Sequence, residues 1–281
     1  MTKFGKAARF FVTSSLFLAF NSMLLVYFSA SLFEVKVQPI ILLQIFAITM
    51  TVYSLNKITD KAEDKINKPH QNTKLRLYFI TMAIICCIIT IATGIVEGLI
   101  DVLVLLVPIV IGLAYSIKLY KLPKLKEQLF IKSFAVTFSW AFICTILPIL
   151  RYAVTPEKVV MVFGYIFIQI FVNALIFDIV DMPGDKAANT KTIPLYLGKK
   201  RTTQLLIIIN SLLLIWIGAC FAYGLFINYL PAVVFGMLYS YALIWYFTKN
   251  PDKRFHAEVI VDGEWIPIVA VLQLISRLKI I

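Results

Sequence analysis

The sequence predicts an all-α membrane protein of about nine transmembrane helices, arranged as two four-helix halves plus a ninth helix. Three observations predict it. First, 60% of the 281 residues are hydrophobic and only 15% are charged, and the charges crowd into short stretches between long apolar runs, the pattern of a chain whose solvent is lipid. Second, the basic residues alternate from one side of that succession of runs to the other. Third, an acidic cluster recurs at the same place in each half.

A spanning helix needs roughly 20 mostly apolar residues. Such runs lie near 10–33, 38–56, 77–96, 98–117, 130–150, 158–179, 203–224, 227–247 and 262–280. Little is left between them, so residues 1–281 read as one transmembrane domain. The first run follows Lys3, Lys6 and Arg9 but has no small-residue cleavage site, which favours a retained span over a cleaved leader. Cys86, Cys87, Cys144 and Cys220 all fall inside apolar runs without metal-ligand spacing, and read as packing residues.

Charge sets the orientation. With a cytoplasmic N-terminus, alternate loops hold 22 of the 27 Lys and Arg residues on the inner side and 5 on the outer side. A missed helix would scramble this alternation. The net charge of +12 is therefore a topology and headgroup charge, not a nucleic-acid surface. The two longest polar connections, 57–76 and 180–202, also fall inside. The expected location is the cell membrane, with the N-terminus and the Asp-rich loops in the cytoplasm.

The two acidic clusters carry the chemistry. The first, Asn56-Lys-Ile-Thr-Asp60-Lys-Ala-Glu-Asp64, ends the second helix. Its spacing of four puts Asn56, Asp60 and Asp64 on one helical stripe. The second, Asp178-Ile-Val-Asp181-Met-Pro-Gly-Asp185, ends the sixth helix, with Pro183 and Gly184 interrupting its last turn. Asp181 and Asp185 repeat Asp60 and Asp64 after 121 residues, and a basic loop follows each cluster. One such cluster at a helix end is ordinary solvated surface; two in matching positions suggest parallel repeats. Like charges one turn apart at a membrane boundary repel and are costly to desolvate. A hard divalent cation such as Mg²⁺, held by carboxylates and substrate phosphates, relieves both problems. Two facing stripes would hold a diphosphate between them and stabilise it as a leaving group.

At these residues the chain resembles the UbiA superfamily of intramembrane prenyltransferases. Asn56, Asp60, Asp64 and Asn67-Lys68-Pro69 match the family's first motif. Asp178, Asp181, Gly184, Asp185, Thr192, Ile193, Pro194 and Gly198 match its second. The resemblance implies a lipid-open cavity, an isoprenyl diphosphate donor, Mg²⁺, ionisation to an allylic cation, and attack by an aromatic or other lipid-soluble acceptor. It assigns catalysis to Asp60, Asp64, Asp181 and Asp185, and metal ligation to these four with Asn56 and Asp178. Asn72 stands where many members carry an Arg, so Lys68, Lys74 or Arg76 would substitute. Lys118 and Lys121 after the fourth helix, and Lys186, are further diphosphate-binding candidates.

Asn173, Tyr115 and His256 are candidates for acceptor binding, His256 together with Glu258 and Asp262 at the start of the ninth helix. Gln44, Gln169 and Asn173 lie within apolar runs, where polar side chains must be paired or line a cavity. Glu97 and Asp101 sit in a short outer turn and are expected to be solvated. Two other classes match the sequence less well. A CDP-alcohol phosphotransferase carries a DGxxAR string, which neither cluster contains. A secondary transporter places ionisable residues near mid-membrane, whereas these clusters lie at one boundary.

Overall fold

The computed structural model describes residues 3–59, 66, 75–118 and 124–278. Among them there are helices and turns but no strands. The helices are α1 (Lys3–Thr13), α2 (Leu16–Leu32), α3 (Pro39–Thr59), α4 (Arg76–Glu97), α5 (Leu99–Ser116) and α6 (Ile131–Ile146). They continue with α7 (Pro156–Val180), α8 (Met182–Ala187), α9 (Ile193–Leu197), α10 (Lys199–Tyr223), α11 (Leu230–Lys249), α12 (Arg254–Ile260) and α13 (Trp265–Arg277). Eight stretches in the described residues are long and apolar enough to span a membrane, nine if the bent pair α1–α2 is one span. The protein is a multi-pass membrane protein.

Two expected spans are broken. The run near 10–33 bends by 62° between α1 and α2. Thr13 and Ser14 turn their hydroxyls onto the carbonyls of Arg9 and Phe11, and Ser15 adopts a left-handed φ of 70°. Consecutive hydroxyl residues compete with the helix for its own acceptors. The last span starts earlier than the apolar run near 262–280, at Arg254, and is interrupted between α12 and α13. Gly263 lies in that break, where an added Cβ would collide with the carbonyl of Val259 and the ring of Phe17.

Helix packing reproduces the two halves. The helices α2, α3, α5, α6, α7, α11 and α13 touch in succession and α13 closes back on α2. The third long helix of each half lies outside this ring: α4 against α3 and α5, α10 against α7 and α11. Their outer faces are apolar, with Ile88, Ile95 and Val96 on α4 and Ile208, Leu214 and Ile215 on α10 all exposed. In water such faces would aggregate; against lipid they need no partner.

Buried polar residues fasten the ring. Ser240 donates to Gln169 (3.0 Å), Asn210 to the Met237 carbonyl (3.0 Å), and Asn173 to Glu264 (2.6 Å). Gln44 is buried too, with neither side-chain atom hydrogen-bonded among the described residues. Asp101 is not solvated as expected: it is buried, and Arg151 reaches both its carboxylate oxygens at 3.1 Å. Glu97 pairs with the same guanidinium. The short turn after α4 sets Asp101 in the first turn of α5, where an acidic residue favours the helix dipole and the segment after α6 brings Arg151 beside it.

Candidate active site

At the end of the ring that carries Lys57, Lys132 and Arg254, the helices part around a cavity enclosing about 850 Å³ of empty space, its open mouth included. Its polar wall comes from seven segments, the first being the α1–α2 break, which gives Ser15. The end of α3 gives Tyr53, Asn56 and Lys57, the end of α5 gives Tyr115, and the start of α6 gives Lys132 and Ser133. The end of α7 gives Asp178, the following cap gives Asp181, and the last span gives Arg254, Glu258 and Asp262.

The local sequence explains these positions. Pro156 opens α7, where its missing N–H costs nothing, and the helix then runs 25 residues to Val180. Pro183 stops it from continuing regularly. The chain turns at Asp181 and restarts as the six-residue α8, held by Asp185 N–H to the Asp181 carbonyl at 3.0 Å. Asp178 and Asp181 therefore sit on the cavity wall, while Asp185, just past the turn, is buried at 1% exposure and does not line the cavity.

Each described carboxylate of the second motif is held by a cation from another helix. Lys132 Nζ lies 3.0 Å from Asp178 Oδ1 and 2.8 Å from Asp185 Oδ2. Ser133 donates to the other oxygen of Asp178 at 2.6 Å. Arg254 donates through Nε to Asp181 at 2.6 Å, faces Glu258 at 3.6 Å, and stacks on the Phe177 ring at 4.6 Å. Burial pushes the Asp185 carboxyl up to about 7; Lys132 opposes the shift and the Asp178 charge adds to it.

On the opposite wall, Asn56 accepts a hydrogen bond from Ser116 Oγ at 2.5 Å. Lys57 donates to the Thr13 carbonyl and lies over the Phe79 ring at 5.3 Å. The first motif's Asp60 and Asp64 lie outside the described residues, as do Lys68, Lys74 and Lys121.

Among the described residues no three His, Cys, Asp or Glu side chains converge so as to hold a metal ion by themselves. The donors on the wall are nevertheless all oxygen, from carboxylates, an amide and hydroxyls, with no thiol or imidazole. That set suits a hard cation whose remaining ligands are water and phosphate.

Two further cavities share wall residues with this one. An apolar one of about 520 Å³ runs between α3, α5 and α6 and shares Tyr53, Asn56, Tyr115 and Val136 with it. Another, of about 470 Å³, lies between α2, α6, α7 and the last span. It shares Tyr53, Val136, Phe177 and Asp262 with the first and adds Asn21, Ser22 and Asn173. Tyr53 and Val136 line all three. Trp140 Nε1 donates to the Tyr53 hydroxyl at 3.1 Å.

Of the residues singled out in the sequence, the structure thus gathers Asn56, Tyr115, Asp178, Asp181, Glu258 and Asp262 on one cavity and puts Asn173 in an adjoining one. Lys118, Lys186 and His256 are exposed and line none of the three; His256 instead bonds the Tyr246 hydroxyl at 2.8 Å. Lys132, Ser133, Arg254 and Tyr53 were not foreseen. The first-turn position of Lys132, where a cation opposes the helix dipole, is the one local hint that it has an acidic partner.

The model of the UbiA prenyltransferase family matches residues 15–259. The chain belongs to the UbiA prenyltransferase family. Solved structures agree on the fold. A UbiA homolog from Archaeoglobus fulgidus bound to GPP and Mg²⁺ superposes with a TM-score of 0.67 at 13% identity, covering 93% of this chain and 99% of that one. The apo structure of a UbiA homolog from Aeropyrum pernix K1 gives 0.71 at 14% identity, over 91% and 98%. A digeranylgeranylglyceryl phosphate synthase structure gives 0.60 at 19% identity, over 98% and 99%. No curated protein matches the sequence. In this fold Asn56, the described residue of the first motif, and Asp178 and Asp181 of the second line one cavity.

Proposed function

We propose that this protein is an Mg²⁺-dependent intramembrane prenyltransferase that moves an isoprenyl group from its diphosphate to an aromatic or other membrane-associated acceptor. The observation that carries the reading is the shared junction. A cavity lined by carboxylates and cations at one end of the ring shares Tyr53 and Val136 with an apolar cavity and a mixed one. A diphosphate suits the first, a prenyl chain the second, and an acceptor the third. The A. fulgidus homolog structures bound to GPP or DMAPP with Mg²⁺ support the same choice of donor and metal.

Asn56, Asp60, Asp64, Asp178 and Asp181 would hold the metal ions, which supply charge neutralisation of the leaving group. Lys57 adds positive charge on the same wall. The bond from the prenyl C1 to the diphosphate oxygen breaks, leaving an allylic cation at the junction. The Tyr53 ring, whose hydroxyl is fixed by Trp140, lies there to stabilise it through its π face. The acceptor attacks C1, and its proton passes to a base on the wall; Asp262, common to the first and third cavities, is in position. The 22-to-5 charge asymmetry favours a cytoplasmic mouth in the cell membrane.

The test is pyrophosphate release by the purified protein with Mg²⁺, geranyl or farnesyl diphosphate, and a panel of acceptors. Asp60→Ala and Asp181→Ala are each expected to lower turnover by at least about 100-fold, the scale of losing transition-state charge stabilisation. Unchanged turnover in both folded variants would sink the reading.

A further inference from the structure

We infer that Lys132 and Arg254 are the protein's own diphosphate-binding cations, and that Asp185 positions Lys132 instead of ligating a metal. The inference rests on the diphosphate reading above and assigns the parts within that site.

The two cations come from different spans, yet both stand in the first turn of their helix and on the same cavity wall. Each is tethered, not saturated. An ammonium has three donors; Asp178 and Asp185 use two of those on Lys132. A guanidinium has five; Asp181 takes Nε, and the buried Nη1 meets the Glu258 carboxylate only at 3.6 Å, beyond hydrogen-bond distance. A buried charged donor without a hydrogen bond is costly. Phosphate oxygens in the cavity would take both remaining donor sets, with the bidentate geometry that guanidinium favours.

Asp185 differs from its neighbours. Asp178 and Asp181 line the cavity; Asp185 does not, and is 1% exposed. Its Oδ2 is taken by Lys132 at 2.8 Å. Asp178 meets the same ammonium at 3.0 Å, but it lines the cavity, where a divalent ion can keep its water and phosphate ligands; Asp185 does not reach that space. What Asp185 does is fix a lysine that otherwise has a flexible four-carbon stem. Together with Asp178 it points the ammonium along the wall, so less side-chain entropy is lost when the diphosphate arrives.

The experiment uses the full chain in detergent or nanodiscs. Inorganic pyrophosphate is titrated by calorimetry in Mg²⁺; separately, bound Mn²⁺ is counted by its EPR signal without pyrophosphate. Lys132→Gln and Arg254→Gln are expected each to weaken pyrophosphate about tenfold or more, as for a lost charge-assisted bond, and to keep the wild-type Mn²⁺ stoichiometry. Lys132→Arg and Arg254→Lys recover most of the affinity. Asp185→Asn weakens pyrophosphate about threefold to tenfold through its lysine and also keeps the Mn²⁺ stoichiometry. A loss of one Mn²⁺ in Asp185→Asn, or pyrophosphate affinity unchanged in the Lys132 and Arg254 variants, overturns the assignment. If a single variant fails to fold, the double variant Lys132→Gln/Asp185→Asn, which removes the buried pair together, is titrated instead and is held to the same loss of pyrophosphate affinity and the same Mn²⁺ count. A wild-type protein that binds no pyrophosphate in Mg²⁺ overturns the diphosphate reading itself.

Discussion

At the scale of single residues, charge and burial compete at Asp185. Its carboxyl is pushed up to about 7, mainly by burial, with Lys132 pulling the other way. A carboxyl that folds with a raised pKa contributes most to stability when protonated. That contribution is full below the unfolded value near 4 and is lost as pH rises through about 7. Metal-free protein in a chelator is therefore expected to lose on the order of 1–3 kcal/mol between pH 5.5 and 8, seen as a fall of a few degrees in Tm. Asp185→Asn should flatten that slope, and equal slopes in the two proteins would refute the cause. The same residues mark what was legible in the sequence. The aspartates announce themselves by spacing, because Asp178, Asp181 and Asp185 lie within two turns of one another. Their partners do not. Lys132 is 53 residues from Asp185, and Arg254 is 73 from Asp181. Each reads in isolation as one more lysine or arginine at a helix end, where it serves the topology rule as well as any other. Only the closure of the ring brings them to the carboxylates.

At the scale of elements, the apolar runs located the spans because lipid demands about twenty such residues whatever they pack against. The sequence did not reveal which helices stay at the rim. Both α4 and α10 are as apolar as their neighbours, and their place outside the ring is fixed by contacts, not by composition. Nor did periodicity reveal the breaks at Ser15 and Gly263, since hydropathy does not register a change of direction. Close approach of two elements is set by single small residues. Gly236 on α11 faces α7 so closely that an added Cβ would lie 2.6 Å from the Tyr165 hydroxyl and 3.1 Å from Gln169 Nε2. Gly236→Ala is expected to destabilise the protein by about 1–3 kcal/mol through overpacking. Gly164→Ala on α7 and Gly218→Ala on α10, where nothing lies within 4 Å of the added Cβ, should be neutral or slightly stabilising by helix propensity. Thermal unfolding of the three variants in one detergent separates these outcomes. Equal Tm shifts in all three would show that the α7–α11 approach is looser than described.

At the scale of the whole molecule, the arrangement of halves accounts for why chemistry sits at one end. Each half sends a long helix, α3 or α7, toward the same end, where Asn56 of one and Asp178 of the other line one cavity. The span made of α12 and α13 closes the ring and adds Arg254, Glu258 and Asp262 to the wall. The apolar cavity between α3, α5 and α6 receives no charged residue among those described: apart from Thr49, Asn56 and Ser139 its wall is aliphatic and aromatic. Charge and apolar volume are thus sorted along one axis, with Tyr53 and Val136 between them. If the apolar cavity holds the prenyl chain, its volume sets donor length independently of the diphosphate end. Ser139 lines the apolar cavity and neither of the others. Ser139→Phe fills part of that space without touching a carboxylate or cation. The expected result is a selective loss: kcat/KM for geranylgeranyl diphosphate falls at least about tenfold relative to geranyl diphosphate, since each excluded buried methylene removes about 0.8 kcal/mol of binding. Pyrophosphate affinity should stay within about threefold of wild type, because the variant leaves the charged wall intact. An equal loss for short and long donors would mean that the chain runs elsewhere, and a selective loss for long donors in a third-cavity variant such as Ser22→Phe would locate it there.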